Sequence, residues 1–381
     1  MQGVLYPKGS IISQVLLAII LLLSMKAMID VNRMNNKPIY FKGLNIMVGM
    51  FTFYGLLLFV TDGTIVKGLG GFETQSMNYL KSAYMSLLPI YVSFIYTVTG
   101  RLTLKHLQFW AILFICIAVT EYFEQQQEAL VAALERGSTR EEFTNNAGYI
   151  LMSLIPLMMV YDRKPIYQLT GLGICAYFVI IAMKRGAVLV AIIALMMFVW
   201  YKLKSVSGIK KTLVVLCIGV GFLLITRFVQ EMMSSSDFFY ARVQSTFEGD
   251  TSNRDLLYAD FWNHFAQKAS VLEMLFGGGG YNTIKVSFNY AHNDWLEILT
   301  NNGVLGILLF ITYWIYFYKT TRMTSLCNET RFCLLLVFSM YLLRTLFSMS
   351  IANMNVYITS ILGFALADGL KQLHDDNCYQ K

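Results

Sequence analysis

The sequence predicts an all-α fold, a polytopic membrane helical bundle of about eleven transmembrane helices with one large loop on its outer side. Three observations lead there. Hydrophobic residues make up 56% of the 381 positions and charged residues only 14%, with a mean hydropathy of +0.54, far from soluble composition. Apolar runs of bilayer length recur along the whole chain. Basic residues fall on alternate loops between those runs, so the formal charge of +7 reads as topology and not as a footprint for polyanions. The same composition excludes a secreted disulfide scaffold, a nucleic-acid-binding domain and a disordered chain.

A crossing needs about 20 mostly apolar residues, because about 30 Å of hydrocarbon is spanned at 1.5 Å per residue. Runs that meet this lie at 10–28, 42–60, 79–99, 104–123, 146–162, 165–183, 186–203, 212–228, 303–318, 331–349 and 351–370. The sixth and seventh are joined by Lys184-Arg185 and should form a helical hairpin. Orientation follows from the cationic loops, which stay on the cytoplasmic side. Setting Lys202, Lys204, Lys210 and Lys211 inside also sets Arg33 and Lys37, Arg101 and Lys105, Arg163 and Lys164, and Lys319 and Arg322 inside. The N-terminus is then outside and the C-terminus inside; a twelfth span near either end would change only that terminus.

Three regions follow: 1–228 with helices one to eight, 229–302 as a periplasmic loop domain, and 303–381 with the last three helices and a cytoplasmic tail. The loop holds roughly 74 residues, well beyond the length that connections without a function usually reach. Within it, Leu257, Phe261, Trp262 and Phe265 at helical spacing predict an amphipathic helix over 253–268. Gly277 to Gly280 form a hinge-like break, and Tyr281 to Tyr290 lean toward β structure. A second outer segment from Glu121 to Asn146 starts acidic and predicts a short amphipathic helix before Gly137. None of the six cysteines lies in an outer loop, so no outer disulfide is expected.

The order of small motifs carries further information. Lys184-Arg185-Gly186-Ala187 opens a span, and the long outer loop follows. Asn253-Arg254-Asp255 begins an aromatic-rich helix, and the glycine break comes next. His292-Asn293 and Leu296-Glu297 then precede Asn302-Gly303-Val304-Leu305-Gly306. In this order the segment from about 165 to 318 resembles the O-antigen polymerase and O-antigen ligase superfamily, bacterial membrane glycosyltransferases similar in architecture to GT-C enzymes.

That resemblance implies transfer of a glycan from an undecaprenyl diphosphate carrier to an acceptor hydroxyl at the periplasmic face of the cytoplasmic (inner) membrane, with no metal, nucleotide-sugar or other cofactor. It implies the lipid-linked glycan donor and acceptor and the bilayer as partners, with a chain-length regulator as a candidate and no nucleic acid. A diphosphate leaving group gains charge as the glycosidic bond breaks, and guanidinium forks suit it because they remain charged and bind oxygens bidentately. Arg185 and Arg254 are on the correct side for that role, with Arg242 and Arg344 as further diphosphate candidates and Asn293 as a polar neighbour. His292 is the candidate base, since a neutral imidazole accepts a proton near working pH. Glu297 is its candidate partner.

Each residue also has a plainer reading. Arg185 fits a snorkelling interfacial cation, Arg254 a solvated helix start, His292 a satisfied polar residue beside a cap, and Glu297 an N-terminal helix charge. Arg344, near the outer end of its span, fits either a carrier-phosphate anchor or a snorkel. The expected activity is a polymerase of lipid-linked repeat units, with the ligase to lipid A core as the nearest alternative. A lipid-linked sugar flippase is the alternative from another class, disfavoured by the absence of Asp or Glu near the centre of a span.

Overall fold

Inside a bilayer a helix satisfies every backbone N–H and C=O within its own segment, and the apolar runs fold accordingly. The computed structural model describes residues 10–135, 143–248, 254–287, 289–323, 326–349 and 356–379, nearly all of them helical. The helices are α1 (Ile11–Arg33), α2 (Tyr40–Asp62), α3 (Ser76–Leu87), α4 (Pro89–Val98), α5 (Leu104–Glu135), α6 (Ala147–Ser153), α7 (Pro165–Ile181), α8 (Arg185–Ser205) and α9 (Ile209–Ser235), followed by α10 (Asp237–Phe247), α11 (Arg254–Asn263), α12 (Val271–Phe276), α13 (Asn282–Val286), α14 (Asp294–Thr321), α15 (Asn328–Phe347) and α16 (Val356–Tyr379). Between α2 and α3 a small antiparallel hairpin, β1 (Ile65–Lys67) and β2 (Glu73–Gln75), pairs Val66 with Thr74.

Among the described residues seven helices are long and apolar enough to cross a membrane, and they correspond to seven of the expected spans. The remaining four fall on shorter apolar stretches, and 351–355 of the eleventh lies outside the described residues. Pro89, which has no N–H to donate, divides the third span into α3 and α4; Pro156 opens a 3-10 turn, Pro156–Tyr161, that ends the fifth; α7 and α16 account for the sixth and eleventh. Two local expectations need correction. The acidic stretch from Glu121 is no separate helix but the continuation of α5, which runs unbroken to Glu135. Tyr281 to Tyr290 is not β: it turns at Tyr281 (φ 58°) into the short helix α13, because the side chain of Asn301 takes the amide of Thr283 at 3.1 Å and that of Asn282 donates to the carbonyl of Thr300 at 3.2 Å.

By contact the chain divides into two units, one made of 1–111 with 253–381 and the other of 112–252. This grouping parts the outer-loop stretch between Ser252 and Asn253, whereas the sequence division keeps 229–302 together. In the first unit α2 packs on α14 at Gly43, where a Cβ would stand 3.0 Å from that of Tyr316, and the hydroxyls of Tyr40 and Tyr313 meet at 3.1 Å. α16 packs on α4 at Gly363, against Ser93, whose hydroxyl donates to the carbonyl of Ser360 at 2.7 Å. Small residues permit such approaches in membranes, where packing takes over from the hydrophobic effect. In the second unit the α7–α8 hairpin turns at Met183 (φ 53°), and Asn145 closes it by donating its amide to the carbonyl of Ala182 at 2.8 Å.

Candidate functional site

The first unit contains an interrupted helix. Thr300, Asn301 and Asn302 are buried polar residues at the head of an apolar run, and α14 breaks immediately after them at Gly303, whose φ of 66° and ψ of −164° are closed to other residues. A break inside a helix, among buried residues, frees carbonyls that must find donors. The carbonyl of Thr300 takes the amide of Gly278 at 3.1 Å, that of Asn301 takes Gly279 at 3.0 Å, and that of Asn302 takes the hydroxyl of Tyr54 at 3.1 Å. A Cβ on Gly277 would lie 2.3 Å from the carbonyl of Asn301, and one on Gly303 would lie 2.5 Å from the amide of Gly277. The glycine run is therefore a cap on the broken helix and not a hinge.

Upstream of the break, Glu297 is buried and fully engaged. Its Oε1 accepts from Thr283 Oγ1 at 2.7 Å and Asn301 Nδ2 at 2.9 Å, and its Oε2 accepts the amide of Ala291 at 3.0 Å. Asn293 caps α14, accepting from the amides of Trp295 and Leu296 at 2.9 and 3.3 Å. Between these two fixed neighbours His292 adopts φ 51°, a left-handed conformation that costs energy for a side chain with a Cβ and persists where surroundings over-determine it.

Three side chains then converge on the last turn of α15. Arg254 Nη1 donates to the carbonyl of Phe347 at 3.1 Å, Asn293 Nδ2 to that of Leu346 at 3.3 Å, and Trp295 Nε1 to Thr345 Oγ1 at 3.0 Å. The helix that delivers Arg254 is held by Leu257 and Phe261, which are buried against Ala291, next to His292. The adjoining Arg344 is enclosed at 6% exposure, so it does not snorkel along a lipid face. Tyr341, one turn below, lies within electrostatic reach of both Arg344 and the buried Asp294.

A cavity of about 350 Å³ opens beside this turn, walled by Asp294, Glu297 and Asn302 of α14, Tyr79 of α3, Tyr281 and Met349. Its apolar floor and convergent polar groups fit a small polar ligand moiety. Tyr79 Oη and Asn302 Nδ2, both buried and close together, reach no protein group with hydrogen-bonding geometry. Burial, reinforced by their mutual proximity, raises the phenol of Tyr281 above its ordinary value; burial and the nearby Glu297 raise that of Tyr290. Both stay neutral donors at physiological pH.

Of the residues singled out from sequence, Arg254, His292, Asn293, Glu297 and Arg344 are thus gathered around the head of α14 and the end of α15. Arg185 belongs to the second unit, where it begins α8 and donates to Ser245 of α10. Arg242 lies in α10, with its side chain outside the described residues. Sequence reasoning missed Asp294, Tyr79, Thr283 and the Thr300 to Asn302 run. For the run and Asp294 a signal existed, since buried polar residues heading an apolar span mark a cavity or partner; for Tyr79 and Thr283 none did. Among the described residues no three His, Cys, Asp or Glu side chains cluster as metal ligands.

Residues 170–311, from within α7 to Ile311 of α14, match a family described as O-Antigen ligase. That segment contains Arg185, Arg254, His292, Asn293 and Glu297. No curated protein matches the chain.

Proposed function

We propose, from the match of segment 170–311 to a family described as O-Antigen ligase, that this chain is of the O-antigen polymerase and ligase kind and polymerises lipid-linked oligosaccharide repeat units at the outer face of the cytoplasmic membrane. A multi-pass membrane protein of the glycan-processing polymerase or ligase kind is the coarser statement; the polymerase step, the undecaprenyl diphosphate carrier and the periplasmic site are our reading. One observation carries it. Arg254 and Asn293 bind successive carbonyls, Phe347 and Leu346, beside the enclosed Arg344 and a cavity walled by Asp294 and Glu297. Cations suited to a diphosphate and a polar pocket suited to a sugar are therefore neighbours.

In this reading an acceptor hydroxyl oxygen attacks the anomeric carbon of the donor, and the bond from that carbon to the diphosphate oxygen breaks with its electron pair. The diphosphate leaves on the polyprenyl chain, its growing charge met by guanidinium. The hydroxyl proton passes to His292, whose strained backbone is flanked by the bonded Ala291 and Asn293. Glu297 is a positioning residue here, since its bonds run to Ala291, Thr283 and Asn301. The second arginine, Arg185, enters on the family resemblance alone.

The test is the product formed by the purified chain from a defined lipid-linked donor, with and without a lipid A core acceptor. Ladder formation without the core supports a polymerase, transfer only with the core makes it a ligase, and glycan movement without bond formation makes it a transporter. Arg254→Ala, His292→Ala and Arg185→Ala should each abolish product at unchanged protein abundance. Normal product from all three would end the assignment.

A further inference from the structure

We propose that the protein carries a second saccharide subsite, an open cleft at the far end of α13 from the cavity above, which holds sugars of the glycan chain away from the reacting centre. This rests on the glycan-transfer reading and extends it to a second contact with the same substrate. The cleft measures about 450 Å³. One wall is a polar stripe, Asp260, Asn263, His264, Gln267 and Lys268, whose spacing of three and four residues keeps all five on one helical face. Through His264–Lys268 that helix winds as a single π turn, a rare form that recurs at functional sites.

A polar stripe alone would be a solvated face. The opposite wall argues otherwise. Ser287, 1% exposed, lines the cleft, and its buried hydroxyl has no hydrogen-bond partner in the protein. Buried hydroxyls are paired in nearly all folded proteins because leaving one unpaired is costly, so a ligand group is the natural partner. Among the described residues the side chains of Asp260, Asn263, Gln267 and Lys268 also make no hydrogen bond to protein, and Leu69 and Val286 supply an apolar edge.

The donor set selects the ligand class. Two amides, one carboxylate, one ammonium, one imidazole and one hydroxyl offer donors and acceptors in balance, with charges of opposite sign. Such a set suits vicinal hydroxyls, with the apolar edge for the C–H face of a sugar ring; a phosphate would meet the carboxylate with only one lysine to oppose it. The cleft is also coupled to the reacting region. His264 Nε2 lies 2.8 Å from Glu273 Oε1, which accepts from Asn282 Nδ2 at 3.3 Å, and the same Nδ2 donates to the carbonyl of Thr300 at the break in α14. Tyr281, just before α13, walls the first cavity, and Val286 and Ser287, at its end, wall the second. The helix between rises about 8 Å, a span within reach of a short oligosaccharide.

The experiment titrates the oligosaccharide released by mild acid from the lipid-linked repeat unit into the purified full chain in nanodiscs, read by calorimetry. The wild type should bind; Ser287→Ala and the pair Asn263→Ala with Gln267→Ala should each weaken binding at least tenfold. Ser287→Ala should keep or raise the melting temperature, because the hydroxyl it removes is unpaired in the fold. Gly49→Ala in α2, where a Cβ meets open space, should bind as the wild type does. No binding by the wild type, unchanged binding by both cleft variants, or weakening that occurs only with a lowered melting temperature would overturn the subsite. Cleft-dependent binding by a chain that forms no glycosidic bond would leave the subsite standing while the polymerase reading falls.

Discussion

Glu297 reaches back six residues to accept the amide of Ala291 at 3.0 Å, so a carboxylate inside the first turns of α14 fixes the backbone immediately before His292. Its other oxygen takes Thr283 and Asn301. One buried group thus joins α13, the break in α14 and the turn that carries the candidate base, which makes a near-isosteric change informative. Glu297→Gln replaces an acceptor by an amide donor facing a donor. The expected cost is about 1–3 kcal/mol, seen as a lower melting temperature, with faster hydrogen exchange at the amides of 290–293. Unaltered exchange there would show that Glu297 does not hold the turn.

The contact between Gly277 and Gly303 leaves no room for a methyl group on either side. Both residues also have positive φ. Gly303→Ala and Gly277→Ala should each cost more than about 3 kcal/mol, read as loss of folded protein in detergent extracts. Gly49→Ala in α2, where a Cβ meets open space, should be neutral or slightly stabilising because alanine is the better helix former. Equal yields from all three would refute the cap.

Arg254 spends one donor on the carbonyl of Phe347 and keeps others for a ligand. Arg254→Lys retains charge but loses the fork. Transfer measured as kcat/KM should fall by about 100-fold or more, with protein abundance unchanged. A lysine variant as active as wild type would reduce Arg254 to a structural tie.

The phenols of Tyr281 and Tyr290 are raised above their ordinary value of 10.0 by burial. Below that value both folded and unfolded chains keep the protons, and neither residue affects the pH dependence of stability. Above it the unfolded chain releases them first, so the native state binds more protons and stability falls as pH rises. The double variant Tyr281→Phe with Tyr290→Phe should therefore lose less melting temperature between pH 9 and pH 11 than the wild type. An identical loss would show these phenols to be ordinary.

Reporter fusions after residue 270 should report outside, and after residue 207 inside. The reverse would move the cavity to the cytoplasmic face and detach it from an outward-facing glycan.

Much was legible along the chain because it depends on local pattern. Seven of the expected spans find one long helix each, the Lys184-Arg185 hairpin forms, and Arg254, His292, Asn293 and Glu297 could be picked out from their order beside Asn302 and Gly303. The failures share a cause. Tyr281 to Tyr290 has the composition of a strand, but the side-chain oxygen of Asn301 and the carbonyl of Thr300 accept from Thr283 and Asn282 and hold its first residues as a helix, and no local preference records such partners. Gly277 to Gly280 looks like a hinge until the backbone of Asn301 is seen against it. Tyr79 looks like any lipid-facing tyrosine until α3 is packed on α2.

What the amino-acid order determined by itself was the helical, multi-pass membrane class and the order of its motifs, because hydropathy and motif order are written in consecutive residues. What only the tertiary structure decided was which of those residues share one place. Arg254, Asn293 and Trp295 meet on the end of α15, Glu297 serves the turn before His292, and Ser287 keeps an unpaired hydroxyl in a polar cleft. These relations depend on where a broken helix sends its freed carbonyls, and that is settled by donors dozens to hundreds of residues away.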